Sequence, residues 1–442
     1  MKLVIKNTQL FTEVNLSNNV DVLIENGKIS QIMRSENNAI SDQELYVVDG
    51  ANQILGPGLV DLHTHLREPG REDAETIETA MKAAIAGGYT AISAMANTNP
   101  VADNAAVVEL VKTKAIQVGL CDVFPIGAVT KGLEGKELAD IAGMVKSQAS
   151  VKIFSDDGKC VSNARIMRRA MEYIDTFGGF ISQHAQEPEL TINSQMNESV
   201  LSHQLGLAGW PAVAEEAIIA RDIALAKLLD VPIHFAHIST AGSVQLVAQG
   251  KANGVKVTAE VTPHHLYFSE QKCESYDPIY KVNPPLRSIT DQAALLEGLL
   301  SGVIDCVATD HAPHPVESKE GEFAKAAFGM LGLQSALGAI TTVLEKNHKI
   351  DWKKLFEIMS INPAKLAGYS QHGGEIDSGK PANLVLIRKQ ANDFSNSILK
   401  SKSMNNPFNG ERFEYSIGAT IFQGKLVYQD TGFNEGLGLT KL

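Results

Sequence analysis

The chain is poor in cysteine, with four in 442 residues, Cys121, Cys160, Cys273 and Cys306, far apart and without a C-x-x-C pair. This excludes a disulfide framework and a cysteine zinc cage, and a reduced, cytoplasmic compartment is expected. Basic residues are in deficit, 39 Lys and Arg against 51 Asp and Glu, for a net charge of −12. That is the wrong sign for a phosphate backbone or an anionic membrane surface, so small molecules are the expected partners, with no nucleic acid and no membrane. Nowhere do 18 apolar residues run together, and Met1 to Leu10 alternates polar and apolar residues where a leader would place a basic segment before an apolar one. Neither a membrane span nor a secretion signal is expected. Internal repeats and low-complexity segments are absent as well.

What is present is 44% hydrophobic and 20% charged, enough to bury a large core and to exclude disorder. From Leu3 to Val48 the chain reads as short strands, including Asp21 to Ile24 and Ile29 to Met33 around an Asn26-Gly27 turn. After Gly56-Pro57-Gly58 the texture changes to short β-type runs alternating with Ala- and Leu-rich helical segments, the rhythm of a parallel sheet. Eight runs stand out: Leu59 to Leu62, Tyr89 to Met95, Asp122 to Ile126, Ser150 to Phe154, Gly179 to Gln183, Pro232 to Ala236, Val255 to Val261, and Asp305 to Thr309. Helical segments between them include Glu75 to Ala86, Ala105 to Gln117, Glu137 to Ser147, Ala212 to Leu229 and Thr290 to Leu300. Eight strands close a (β/α)8 TIM-like barrel; an open doubly wound sheet is the alternative. β character returns at Asn383 to Ile387 and Gly418 to Leu426, and this tail is expected to join the N-terminal strands in a small composite β-sandwich. The expected division is therefore 1–56 and 373–442 for the β unit and 57–372 for an α/β catalytic barrel.

Catalytic groups of such barrels sit at the C-terminal ends of strands, and here those ends are rich in metal-binding side chains. The first run leads into His63-Thr64-His65, whose imidazoles at i and i+2 point to the same side of an extended segment. The fifth leads into His184, the sixth into His237, and the eighth into Asp310 within Thr309-Asp310-His311-Ala312-Pro313-His314. One histidine after an apolar run reads as core; four strand ends agreeing in ligand type read as a metal site. Neutral imidazole with carboxylate suits zinc or a similar metal, and this many ligands allows two ions. A pair of ions needs a bridge, for which the fourth run offers Lys152 and the Asp156-Asp157-Gly158 turn.

Together with Leu66-Arg67-Glu68, Ala96-Asn97-Thr98, Val282-Asn283-Pro284-Pro285-Leu286-Arg287 and Gly379-Lys380-Pro381-Ala382-Asn383-Leu384, these motifs resemble bacterial class I dihydroorotases of the amidohydrolase superfamily, over nearly the whole chain. The resemblance implies one zinc ion on His63 and His65, a second on His184 and His237, Asp157 as the bridge in preference to a carbamylated Lys152, and Asp310 completing the site. It implies reversible cyclisation of N-carbamoyl-L-aspartate to dihydroorotate in pyrimidine synthesis, through a bridging hydroxide with Asp310 as general base and then acid. Arg67 is placed to grip the substrate carboxylate bidentately, with an ion pair to Glu68 or Asp61 as its structural alternative. His65, Asn97, Asn283 and His314 are implied as further substrate contacts, with the Phe328-Gly329 backbone over the ring.

His311 is expected to point away from the site, and His264-His265 to serve packing; His203, His348 and His372 carry no signal. Val316 to Lys325 reads as a mobile or plainly solvated loop near the barrel mouth. A homodimer is expected, and association with aspartate transcarbamoylase is compatible. The rival functions are a hydantoinase or allantoinase on the same metals, and an inactive dihydroorotase-like scaffold.

Overall fold

The computed structural model describes residues 2–12, 16–35, 45–347, 350–430 and 440–441, so His348 lies outside the described residues. Five strands open the chain: β1 (Lys2–Phe11), β2 (Leu16–Glu25), β3 (Lys28–Arg34), β4 (Leu45–Asp49) and β5 (Gln53–Pro57). Asn26 and Gly27 both take positive φ, 50° and 80°, which is the turn that a two-residue β2–β3 connection requires.

Gly58 alone separates β5 from β6 (Leu59–Thr64), the first of eight parallel strands. The others are β7 (Tyr89–Ala94), β8 (Asp122–Pro125), β9 (Ile153–Phe154), β10 (Phe180–Gln183), then, after a short pair β11 (Met196–Asn197) and β12 (Gly209–Trp210), β13 (Ile233–Phe235), β14 (Val257–Val261) and β15 (Cys306–Val307). Continuous hydrogen-bonded ladders join β6-β7-β8 and β9-β10-β13-β14-β15. Parallel bridges between Gly127 and Phe154, and between Thr64 and His311, connect the two groups at both seams and close the barrel.

β9 and β15 fall furthest short of the runs the sequence marks, because side chains replace ladder bonds or the backbone turns away. Ser150 has φ +49°, which breaks the extended run before β9. At β15 the Asp305 carboxylate accepts from Ala259 N at 2.8 Å, while Thr309 N donates to Asp61 Oδ1 at 3.1 Å. Helices cover the barrel where apolar residues recur at helical spacing. In Ala164–Asp175 the buried set is Ile166, Met167, Ala170, Met171 and Ile174, each large member contributing about 1.5–3 kcal/mol on burial. The expected Glu137–Ser147 helix begins only at Ile141, since Asp140 accepts from Gly143 N and caps it there.

The terminal segments share one branched sheet. β16 (Leu384–Asp393) pairs antiparallel with β5, and β17 (Arg412–Phe422) and β18 (Lys425–Gln429) extend that edge. On the other side β1 pairs with β2, β4 and β5, and β19 (Thr440–Lys441) pairs with β4. Leu3, Ile5, Val22, Ile24, Leu55, Leu384, Leu386 and Ile421 form its own core. No helix among the described residues is long and apolar enough to cross a membrane.

Candidate metal centre

Asp157 is the hub. Its Oδ1 lies 3.3 Å from His63 Nε2, 3.4 Å from His184 Nδ1 and 3.4 Å from His237 Nε2, and its Oδ2 lies 3.4 Å from His65 Nε2. Two potential ligand groups share it, His63, His65 and Asp157 on one side and Asp157, His184 and His237 on the other, all buried. Asp310 completes the ring, with Oδ1 3.0 Å from His65 Nε2 and 3.4 Å from His63 Nε2. All six residues expected as ligands therefore converge.

Local backbone explains the choice between the two aspartates of the turn. Asp156 accepts from Val129 N at 2.8 Å and Thr130 N at 2.9 Å, and from the Thr130 hydroxyl, which ties it to the neighbouring loop. Gly158, at φ +77°, makes the turn that leaves Asp157 facing the histidines. Lys152 is exposed on the barrel exterior, with Nζ beside Gly368, and so cannot bridge the cluster. Two of the clustered residues sit in left-handed backbone, His237 at φ +33° and Asp310 at φ +46°. Non-glycine residues there are uncommon and cluster at functional sites.

The donor set fits a cation. Glu260 Oε1 accepts from His63 Nδ1 at 2.9 Å, which leaves the lone pair of a neutral His63 on Nε2, aimed at the Asp157 and Asp310 carboxylates. That buried Nε2 has no hydrogen-bond partner. A lone pair facing two carboxylates is repulsive unless a proton or a metal lies between them. Burial pushes the His63 imidazole down, but Asp157 and Asp310 hold it well above its usual value. Conversely, burial pushes the Asp157 carboxyl up, while His63, His184 and His237 hold it well below the carboxylate range.

The residues expected to touch substrate border this cluster. Asn97 Oδ1 accepts from His65 Nδ1 at 2.9 Å, and its Nδ2 lies 3.4 Å from Asp157 Oδ2. Asn283 Nδ2 donates to Gln186 Oε1 at 3.1 Å, and the same oxygen accepts from His184 Nε2 at 2.8 Å. Arg67, at φ +62°, donates Nε–H to Pro313 O at 3.0 Å. His314 Nε2 donates to Phe328 O at 2.7 Å, so its 3.4 Å contact with the Arg67 terminal nitrogen brings two donors together and satisfies neither. Burial and Arg67 push His314 down to about 3, so the ring is neutral. Gly329 has φ +137°, and a Cβ there would come within 2.9 Å of His314 Nε2.

Neither structural partner expected for Arg67 holds it. Glu68 pairs with Lys114 and accepts from Ile77 N, and Asp61 accepts from His63 N and Thr309 N. His311 turns away as expected, its Nδ1 accepting from Gly332 N at 3.2 Å and its Nε2 facing Glu75. His265 is held between Thr262 Oγ1 and Pro284 O, and His372 between Thr90 and Asp122. His203 is exposed on the helix Val200–Leu205.

Three features leave little trace in the sequence pattern. Glu260 is the first, and its Oε2 also accepts from His234 Nε2 at 3.2 Å. A carboxylate inside the apolar run Val257–Val261 is the signal that would have found it. Gln186, two residues past His184, is the second. The third lies in the 316–325 loop, which is exposed over most of its length as expected but turns Lys319 and Phe323 inward, at 9% and 3% exposed.

Comparison with known proteins places the chain among cyclic amide hydrolases. A family model described as dihydro-orotase-like matches residues 52–243. A Streptomyces coelicolor protein named dihydroorotase is 49% identical over 93% of this chain and 95% of its own length. A Mycobacterium tuberculosis dihydroorotase is 47% identical over 93% and 95%. Among solved structures, an L-hydantoinase (dihydropyrimidinase) from Arthrobacter aurescens superposes with a TM-score of 0.85 over 97% of this chain and 96% of its own, at 24% identity. That likeness speaks for the shared fold.

Proposed function

The chain belongs to the dihydroorotase family, and from that premise we propose that it interconverts N-carbamoyl-L-aspartate and (S)-dihydroorotate, the ring-closing step of pyrimidine synthesis. The observation that carries this reading is the position of Arg67 beside the Asp157 cluster. Among the described residues its guanidinium has no carboxylate partner, and only Nε meets an acceptor. A cationic fork left open next to a hydrolytic centre fits a substrate that carries a carboxylate, whereas a neutral hydantoin ring offers it nothing.

His63 and His65 would hold one divalent ion, zinc being the expected metal, and His184 and His237 a second, with Asp157 between them and Asp310 completing the shell. When bound, such ions polarise an amide carbonyl and make a water acidic near neutral pH. The rest falls to the protein. In the opening direction water adds to the ring carbonyl carbon, the carbon–nitrogen bond breaks, and the nitrogen gains a proton. Asp310 is the group that takes the water's proton and returns it to the leaving nitrogen. Although burial pushes its carboxyl up, His63 and His65 hold it below the ordinary range, so it is ionised and ready to accept. Arg67, Asn97, Asn283, the neutral His314 and the Phe328-Gly329 backbone orient the ring.

The same reading divides the chain into a catalytic barrel, 57–372, and a composite β-sandwich from 1–56 and 373–442, supported by the pairing of β5 with β16. The four free cysteines support a reduced, cytoplasmic setting. The same proposal includes a homodimer and association with aspartate transcarbamoylase, both implied by the resemblance. The test is ring opening of dihydroorotate by metal-loaded protein, with hydantoin and allantoin beside it. Chelator-sensitive turnover of dihydroorotate supports the reading, and turnover of a neutral ring alone refutes it.

A further inference from the structure

Across the loop that follows Asp310, two lysines are folded inward. Lys319 Nζ donates to Lys281 O at 2.9 Å and to Ala327 O at 2.8 Å, and no carboxylate lies within ion-pair distance of it among the described residues. Lys281 Nζ donates to Ala324 O at 2.9 Å and sits 4.5 Å from the centre of the Phe328 ring. Burying an amine on carbonyls alone is unfavourable, so a purely structural site would be filled more cheaply by an apolar side chain.

Both carbonyls that Lys319 holds lie at the candidate substrate wall. Lys281 O precedes Val282-Asn283 and also accepts from Gly329 N at 3.0 Å. Ala327 O precedes Phe328, whose own carbonyl accepts from His314, the ring beside Arg67. One side-chain nitrogen thus ties the 314–329 loop to the segment carrying Asn283. Two N–H bonds are needed and an amine has at least two, so the tie holds whether or not the amine is protonated.

We propose that Lys319 is a positioning residue for the substrate carboxylate, fixing the Phe328-Gly329 backbone and His314 against Arg67 while touching neither substrate nor metal. This rests on the dihydroorotate reading above, which gives that wall its ligand.

The test is steady-state kinetics on the full, metal-reconstituted chain, with metal content and thermal midpoint measured on the same samples. Wild type comes first: failure to open dihydroorotate overturns the substrate reading, and this inference with it. Given wild-type turnover, Lys319→Met is expected to raise KM for dihydroorotate about tenfold, with kcat within about twofold and metal content unchanged. An unchanged KM, or a fall in kcat alone, overturns the proposal. In a double-mutant cycle Lys319→Met and Arg67→Lys are expected to be non-additive on KM, because both act on one carboxylate. Additive effects leave Lys319 a role in folding only and overturn it equally. Should Lys319→Met not fold, Lys319→Gln, whose N–H2 group sits on a stem one atom shorter and so weakens the tie without deleting it, takes its place: a KM rise smaller than about tenfold at unchanged kcat is expected, and an unchanged KM overturns the proposal.

Discussion

Glu260 Oε1 lies 2.9 Å from His63 Nδ1, and this one bond decides which face of the imidazole is open to a metal. Glu260 is itself held by His234, whose Nδ1 is 2.8 Å from Thr258 Oγ1, so the chain of bonds runs from the centre into the barrel interior. Although burial pushes its carboxyl up, bonds from His234 and His63 bring Glu260 down to about 2, and it is a full anion at neutral pH. Glu260→Gln is expected to lower metal affinity by about 10- to 100-fold, the usual cost of losing an orienting partner. Metal retained after dialysis against a graded chelator measures it; retention equal to wild type contradicts the orienting role.

In the proposed mechanism Asp310 combines a seat beside His63 and His65 with the proton-transfer role. Asp310→Asn keeps the shape and removes the basic oxygen. Turnover is expected to fall by at least about a hundredfold, as for loss of a general acid/base. Stopped assays with metal content measured in parallel separate lost chemistry from lost metal. Near-normal turnover removes Asp310 from the mechanism.

For Arg67 the geometry of the fork is the issue. Arg67→Lys keeps one charge but loses the planar pair of donors, and Pro313 O loses its Nε–H partner. KM for dihydroorotate is expected to rise by about tenfold or more, with a smaller change in kcat. An unchanged KM returns Arg67 to a structural role.

Burial, and the nearby Lys281, push Lys319 down to about 7. Its folded value then lies below its unfolded value of about 10.4. Between those values the unfolded chain binds more protons, so this group makes the fold more stable as pH rises from about 7 to 10. Denaturant midpoints compared between wild type and Lys319→Met isolate that slope, since other titrating groups are common to both. The slope is expected in wild type and not in the variant; identical slopes contradict the burial of this amine.

Most of the barrel is legible in the sequence because its strands are short apolar runs between helical segments, and the ligands follow those runs directly. The convergence of the histidine and aspartate side chains is legible for the same reason, as His63-Thr64-His65 shows. Elsewhere local pattern is silent. Asp156 and Asp157 look alike in a turn, and only the amides of Val129 and Thr130, far away in sequence, draw one of them off. Lys152 is a reasonable bridge by position, yet the strand turns it outward. Lys319 reads as a solvated charge because its two carbonyl partners are set by the fold and leave no mark on the residues beside it. For Arg67 the ion pair with Glu68 or Asp61 stays open as the lesser alternative until both carboxylates are seen to be engaged elsewhere.

The centre is built around the Asp157 carboxylate, and anomalous diffraction from zinc-loaded crystals tests this most directly. Two zinc peaks about 3.5–4 Å apart are expected, one beside His63 and His65, the other beside His184 and His237, with Asp157 between them. A single peak, or two ions joined by a carbamate on Lys152 with Asp157 turned away, would contradict it.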